Sequence, residues 1–475
     1  MTTDQASTIE TAMSTAISTG ANSYSLTAQN SVSKLTIPQG INHLICDTVL
    51  LGQSTSSQNS ILEVLNITEL KTDGKNIISG GYVTNYGSGL KIWANTAGGC
   101  SLLDIEGVDV IGAPIGIDIG DISQPDALVS ELNVSGTSTH GCPNPLRATG
   151  TQTVAHIADS NLIASYGEGT GAWLNAPLIG ILSVGANVTM QNGELLQTSS
   201  TATTSYGAML EPIQSEATPP YPNRYGTLTL TGVTMEIAST FIATSNPSNV
   251  SNPVGGAIIM QGCTGIHTQN LVPLIVTDPD FSGDIRIDAS NNIYSTVPRT
   301  VPTINAQGPC NIYVADGAFG ANFPSMLAGI TGAGHVHFSH RLILDVSNLE
   351  GQALPNGEAT VLKYQNQNTT GDLAYFAAGW NASQGTFTII APGGVKGAEI
   401  AAKLDSGNVT DGQMYISVNG TPLGFGPVDL MGSPTLGLGD LNFGDIVSAT
   451  LINIASGPCV AGSTAADYIK IWASA

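Results

Sequence analysis

Charge is scarce in this chain. Only 10% of its 475 residues are Asp, Glu, Lys or Arg, and 13 basic residues face 35 acidic ones, a formal net charge of −22. Nucleic acid and anionic membrane surfaces require clustered Lys and Arg, so this balance argues against both and favours a neutral or basic partner. Aromatic residues are only 5% of the chain, strong helix formers are few, and no apolar run approaches the roughly 18 residues of a membrane span. The first residues have neither the basic start nor the apolar core of a signal peptide, which argues against Sec export. The six cysteines, Cys46, Cys100, Cys142, Cys263, Cys310 and Cys459, form no CxxC or Cys/His zinc spacing. Buried free thiols are expected, and no cofactor is implied.

Gly, Ser, Thr and Asn are abundant instead, and one stretch shows their use. Gly226 to Met235 reads GTLTLTGVTM. Leu228 and Leu230 alternate with Thr227, Thr229 and Thr231, and Gly232 ends the run, so a short half-buried strand leads into a turn. An apolar residue followed two places later by Gly or another turn residue recurs at Leu50, Ile78, Ile105, Val134, Ile157, Val184, Met260, Ile287 and Val314. Most steps are roughly 27 residues. Between the anchors and the apolar residues two places before them stand Asp104, Asn133, His156, Ser183, Thr229, Arg286 and Tyr313. One wall, buried on one face and wet on the other, results. A coil of that length suits two or three short strands, which predicts a parallel β-helix, right-handed by analogy with parallel crossovers. The alternative is a β-sandwich, whose strands recur every 8 to 12 residues or so and need share no register.

The all-β chain divides into four segments. Residues 1–25 hold a short helix over 4–19, with Ile9, Ala12, Met13, Ala16 and Ile17 on one face and Thr3 or Asp4 as its cap; it is expected to cover the open end of the first coil, the alternative being a docking helix. Residues 26–322 form the shaft, interrupted at 199–224 by a Pro- and Tyr-bearing excursion read as a loop. Residues 323–340 are a Gly-rich connector with His335, His337 and His340, whose HxH spacing lacks the further ligands of a metal site; no metal is assigned. Residues 341–475 read as short antiparallel strands joined by turns such as Asn419-Gly420, a sandwich or jelly roll.

GTFTI at Gly385 to Ile389, YISVNG at Tyr415 to Gly420, LNFGDIVS at Leu441 to Ser448 and YIKIW at Tyr468 to Trp472 occur in the order that resembles the C1q/tumour-necrosis-factor jelly roll. That resemblance implies a homotrimer. A β-helix shaft followed by such a domain resembles the architecture of bacteriophage tailspikes and receptor-binding fibres. It implies a virion protein that attaches to other tail proteins, is exposed outside the cell, and recognises or depolymerises a bacterial surface polysaccharide.

With Ile105 inward, Asp104 and Glu106 both point outward, about 7 Å apart by strand rise, and the neighbouring coils add Glu131, Asn133 and His156. Two such carboxylates can protonate a glycosidic oxygen and activate water, whereas a lyase also needs a Lys or Arg base. Asp104, Glu106 and Glu131 are the catalytic candidates; Asn133, His156, Tyr206, Tyr221, Tyr225 and Arg224 are the glycan-binding ones. Asp284, Arg286 and Asp288 form a second outward trio that neutralises itself. Three functions remain open: a polysaccharide depolymerase, a non-catalytic virion spike or receptor-binding fibre, and an extracellular adhesin.

Overall fold

The structure, a computed structural model, describes residues 4–475 except 54–58, 74–75, 82–86, 97–98, 167–172, 174, 199–204, 217–221, 238, 268–271, 316, 326, 350, 405–411, 428–434, 455–458 and 461–466. Two units divide the chain, 1–310 with 316–323 and 311–315 with 324–475. No helix among the described residues is long and apolar enough to cross a membrane.

The first unit is a parallel β-helix. Successive coils give their strands to three parallel sheets, as in Leu103–Glu106, Val108–Ile111 and Ile115–Ile119, and among the described residues the second sheet has 10 strands. Alternation decides what is buried. Ile105, Val134, Ile157, Met190, Leu230, Met260 and Ile287 stand in one register column of the first sheet and are all buried. The corner after six of these seven strands takes a left-handed residue, which explains the recurring turn position: Gly107, Gly136, Asp159, Asn192, Gly232 and Gly262 have φ of 68°, 56°, 49°, 50°, 63° and 61°.

The single-column reading mixed sheets. Leu50 and Ile78 belong to the second sheet, in Val49–Gly52 and Asn76–Ser79, and Val184 ends a third-sheet strand, Ile179–Val184. Met190 is the true neighbour of Ile157 and Leu230. Ser183, expected on the wet face, is therefore buried and donates its hydroxyl to the Ala186 carbonyl at 2.8 Å.

The helix Ala6–Ser18 buries Ala6, Ile9 and Met13. It also satisfies amides that the first coil would leave open: Ser31, Ser33 and Thr36 donate their N–H groups to Gln5 Oε1, Asp4 Oδ1 and Glu10 Oε1 at 3.1, 3.1 and 2.9 Å. Asp4 Oδ1 also accepts the Ala6 N–H at 3.1 Å, capping the helix start. Thr3 lies outside the described residues. The helix thus covers part of the solenoid's open end.

The thiols of Cys46, Cys100, Cys142, Cys263 and Cys310 are free and buried, while the side chain of Cys459 lies outside the described residues. Burial pushes Cys46 and Cys310 up to about 11 and Cys142 up to about 12. Near pH 8, where an ordinary thiol already ionises appreciably, these groups are expected to escape iodoacetamide in the folded chain and react after unfolding. Mass spectrometry that finds Cys142 alkylated in folded protein would count against this packing.

Among its described residues the second unit holds a two-stranded antiparallel sheet, Ala353–Leu354 with Cys459–Val460, and two larger ones. One runs Asn366–Gln367, Arg341–Ser347, Tyr468–Ser474, Val395–Lys403, Thr435–Leu441; the other runs Trp380–Asn381, Thr386–Thr388, Ile446–Asn453, Gly412–Val418, Thr421–Pro427, and Ala359–Val361 also pairs with Ile446–Asn453. Asn419 and Gly420, with φ of 52° and 76°, make the hairpin turn that the Asn-Gly pair predicts. Val395–Lys403 escaped the sequence reading because VKGAEIAAK has helical composition. Thr421–Pro427 and Thr435–Leu441 escaped it because Pro and Gly dilute their pattern, and both are edge strands, where Pro is tolerated. In the segment read as a connector, His335–His337 forms a strand parallel to Asn311–Val314.

Candidate functional site

Leu103–Glu106 alternates as the sequence requires: Leu103 and Ile105 are buried, Asp104 and Glu106 exposed. Register then decides which side chains meet on neighbouring coils. Lys71, Asp104, Asn133, His156, Thr189 and Thr229 stand in one outward column of the first sheet. His43 precedes Lys71, and Ile259 and Arg286 follow Thr229.

Lys71 changes the electrostatics of the predicted acid pair. No base intervenes between Asp104 and Glu106 along the strand, but across strands a cation stands in register with Asp104. Asp73 beside it lies 3.3 Å from His43 Nε2 and 3.9 Å from Lys71 Nζ. Lys71 was findable, because it follows Leu70 in an alternating strand, Leu70–Asp73.

Glu106 is fixed by its backbone. Its N–H donates to Thr72 Oγ1 at 2.9 Å, and that hydroxyl lies 3.2 Å from its carbonyl oxygen. The next coil offers Ser135 in register. Glu131 is exposed, but it has φ of 51° and sits where the register shifts between Val129 and Leu132. At such a bulge its side chain leaves the Asp104 column, and Asn133 takes the cross-strand position beside Asp104. Asn133 and His156 are exposed and adjacent, as expected.

The excursion differs from its expectation. Tyr206 begins a strand, Tyr206–Glu211, of the third sheet, between Ile179–Val184 and Thr240–Thr244, and is half-buried there. Tyr225 is a core residue. It is 2% exposed, its hydroxyl donates to the Asp278 carboxylate at 2.7 Å, and its ring meets Phe281 edge-on at 5.2 Å. Arg224 pairs its backbone with Ile213, points a guanidinium N–H at the Thr151 carbonyl, and is lowered from the ordinary arginine value by burial. Neither Tyr225 nor Arg224 presents its side chain as a sugar platform. Tyr221 lies outside the described residues.

A charged column that the sequence reading missed runs along the third sheet. Glu63, Lys91, Asp118 and Arg147 follow one another in register, with signs alternating. Arg147 holds Asp118 with two bonds of 2.8 Å, Lys91 binds Asp121, and Glu63 takes Lys34 at 2.7 Å and the Trp93 indole N–H at 3.0 Å. Each carboxylate is already paired, so this column staples coils together. Asp284 and Arg286 pair at 2.7 Å, as the outward trio predicts, and Asp288 accepts the Ser290 N–H at 2.8 Å. In the second unit the His337 ring stacks on Tyr313 at 4.3 Å, with Nε2 3.1 Å from Asn311 Oδ1.

The first-sheet column is thus the strongest candidate: a row of hydrogen-bonding side chains, exposed at Asp104, Asn133 and His156 and half-buried at Thr189 and Thr229, with a second exposed acid, Glu106, two residues along the strand from Asp104. No family model and no curated protein matches the chain. Among solved structures it is similar to the enzymatically active domain of tailspike protein 2 of bacteriophage CBA120, with 9% identity and a TM-score of 0.43, covering 100% of this chain and 74% of that one. It is also similar to a mutant tailspike protein of E. coli bacteriophage HK620 in complex with a pentasaccharide, with 10% identity and a TM-score of 0.33, covering 99% of this chain and 90% of that one.

Proposed function

We propose that this chain is a tailspike-type virion protein that recognises a bacterial surface polysaccharide along the outward face of its first sheet and cleaves it with Asp104 and Glu106. The observation that carries the reading is the column Asp104, Asn133, His156, Thr189, Thr229. Its members repeat at the strand spacing of about 4.8 Å, close to the length of one pyranose in an extended chain, so successive sugars meet successive side chains. Beyond Asp104 the row of hydrogen-bonding groups Asn133, His156, Thr189 and Thr229 suits a hydroxyl-rich polymer, and the negative net charge opposes nucleic acid.

In this reading Asp104 and Glu106, roughly 7 Å apart along the strand, fall within the roughly 6.5–9.5 Å separation that leaves room for an attacking water. One acid protonates the leaving oxygen and the other takes a proton from water. Glu131, off the column at its bulge, reaches the substrate from the side. The jelly-roll part of the reading is supported by the second unit, whose chain alternates between sheets and whose strand Arg341–Ser347 pairs with the last strand, Tyr468–Ser474; a homotrimer is what the C1q-like resemblance implies.

A second reading, a receptor-binding spike without cleavage, is favoured by one feature. Asp104 and Glu106 are both exposed, whereas catalytic pairs are ordinarily split by unequal environments. Halo formation on a lawn of host exopolysaccharide separates the two. Glu106→Gln is expected to lower depolymerisation at least ~100-fold while binding persists. Full activity in both Glu106→Gln and Asp104→Asn would move the chemistry elsewhere, and a wild type that binds without cleaving would establish the second reading.

A further inference from the structure

Eleven non-glycine residues have a left-handed backbone among the described residues, and eight of them are Asn or Asp, which tolerate it. Leu102, Glu131 and Trp173 are the exceptions. Leu102 and Glu131, with φ of 52° and 51°, stand at the same place on neighbouring coils, each directly before a paired residue of the first sheet, Leu103 and Leu132. Asn would suit the backbone better at either place, so a leucine there points to a use for its side chain. That use is not core packing, because Leu102 is 59% exposed. The exposed residues Leu102, Asp104 and Glu106 alternate with the buried Leu103 and Ile105.

Leu102 has apolar company. Five large apolar side chains of the first unit are exposed among its described residues, Leu102, Ile122, Leu128, Val254 and Val297, and the first three lie within one coil's length of chain. Leu128 directly precedes Val129–Ser135, the strand that pairs with Leu103–Glu106. The corner between them is tied down: Asp121 Oδ1 accepts the Ser123 N–H at 2.8 Å, and Asp126 Oδ1 accepts the Thr151 hydroxyl at 2.8 Å.

We propose that Leu102 and Leu128 form an apolar ledge that reads a neutral, methyl-bearing substituent of the polysaccharide, an acetyl group or the methyl of a deoxy sugar. The inference rests on the glycan reading of the first-sheet column and adds which glycans fit it. Position supports this occupant. The ledge stands directly before the strands of Asp104 and Asn133, so a sugar lying over those two residues brings its substituents to the ledge. Charge requires the substituent to be neutral. Glu69 and Glu131, the residues before Leu70 and Leu132 on the flanking coils, are exposed, Asp104 follows two residues after Leu102, and Lys71 is offset by Asp73 at 3.9 Å, so an anionic group is repelled. A methyl group gives an exposed leucine the apolar partner that water does not.

Binding of the full-length protein to purified host surface polysaccharide tests this, with the polymer used intact and after mild alkaline removal of ester-linked acetyl groups. Leu102→Asn suits the left-handed backbone and removes the apolar contact. It is expected to weaken binding roughly fivefold to twentyfold, the effect of one or two buried methyl groups, with a melting temperature equal to or above that of the wild type. Leu102→Met is expected to keep wild-type affinity, and Val254→Asn, at another exposed apolar residue of the shaft, to change nothing. If alkali weakens wild-type binding to the level of Leu102→Asn on the intact polymer, the substituent is an ester-linked acetyl group. A Leu102→Asn effect that survives alkali assigns it to an amide-linked acetyl group or a deoxy sugar. Wild-type affinity in Leu102→Asn, beside a loss in Asn133→Ala/His156→Ala, would overturn this proposal and leave the functional reading standing. A lower melting temperature in Leu102→Asn would assign the leucine to the fold and overturn the proposal as well. A wild type that binds neither form of the polymer would end both.

Discussion

Tyr225→Ala is expected to cost roughly 4 kcal/mol of stability, by analogy with other aromatic-to-alanine changes in packed cores. The ring is 2% exposed and meets Phe281 edge-on at 5.2 Å, so its removal opens a cavity between coils. Its hydroxyl is one of several donors to Asp278, which also accepts from Thr244 Oγ1 at 2.7 Å and from the Asp280 N–H at 2.8 Å. Tyr225→Phe keeps the ring and loses only the bond to the carboxylate, so a smaller loss of about 1.5–3 kcal/mol is expected. Burial first, and then the bond to Asp278, push the Tyr225 phenol above its ordinary range. A raised phenol contributes stability that is fully present below the ordinary value near 10 and is lost as pH rises towards the folded-state value. Tyr225→Phe should therefore flatten the alkaline limb of the stability profile. Thermal unfolding followed by circular dichroism between neutral pH and about pH 11 checks both expectations. Unchanged melting of Tyr225→Ala, together with glycan binding that is lost in Tyr225→Ala and kept in Tyr225→Phe, would restore the glycan-binding role that the sequence suggested.

That contrast shows what the sequence disclosed and what it withheld. Period, alternation and turn chemistry were legible because each is local: Leu228, Leu230 and Gly232 announce a strand and its corner without help from the rest of the chain. Assignment to a sheet was not local. All three sheets use the same alternation, so Val184 and Met190 both qualified as anchors, and only pairing with Leu230 selects Met190. The corner Asn192 was the available signal, since Asn adopts the left-handed conformation that Gly supplies in other coils. The candidate site divided in the same way. Asp104, Glu106, Asn133 and His156 are outward on one sheet, as alternation required. Lys71 joined them through register alone. Tyr225 and Arg224 were misread because composition around Pro219, Pro220 and Pro222 describes a loop, whereas burial of an individual side chain depends on distant partners such as Asp278 and Thr151.

The second large effect concerns the first-sheet column itself. Asn133 and His156 sit side by side in register, exposed, one and two strands beyond Asp104. Each is placed to exchange one hydrogen bond with a bound sugar, worth about 1 kcal/mol, so removing both is expected to weaken binding by roughly tenfold to fiftyfold. Neither side chain contributes to the core, so the fold should survive. The decisive measurement is the affinity of full-length protein for purified host surface polysaccharide, compared among the wild type, an Asn133→Ala/His156→Ala variant and a Thr264→Ala control on the second sheet. The account predicts tight binding by the wild type and the control and at least a tenfold loss in the double variant; equal affinity in all three would contradict it.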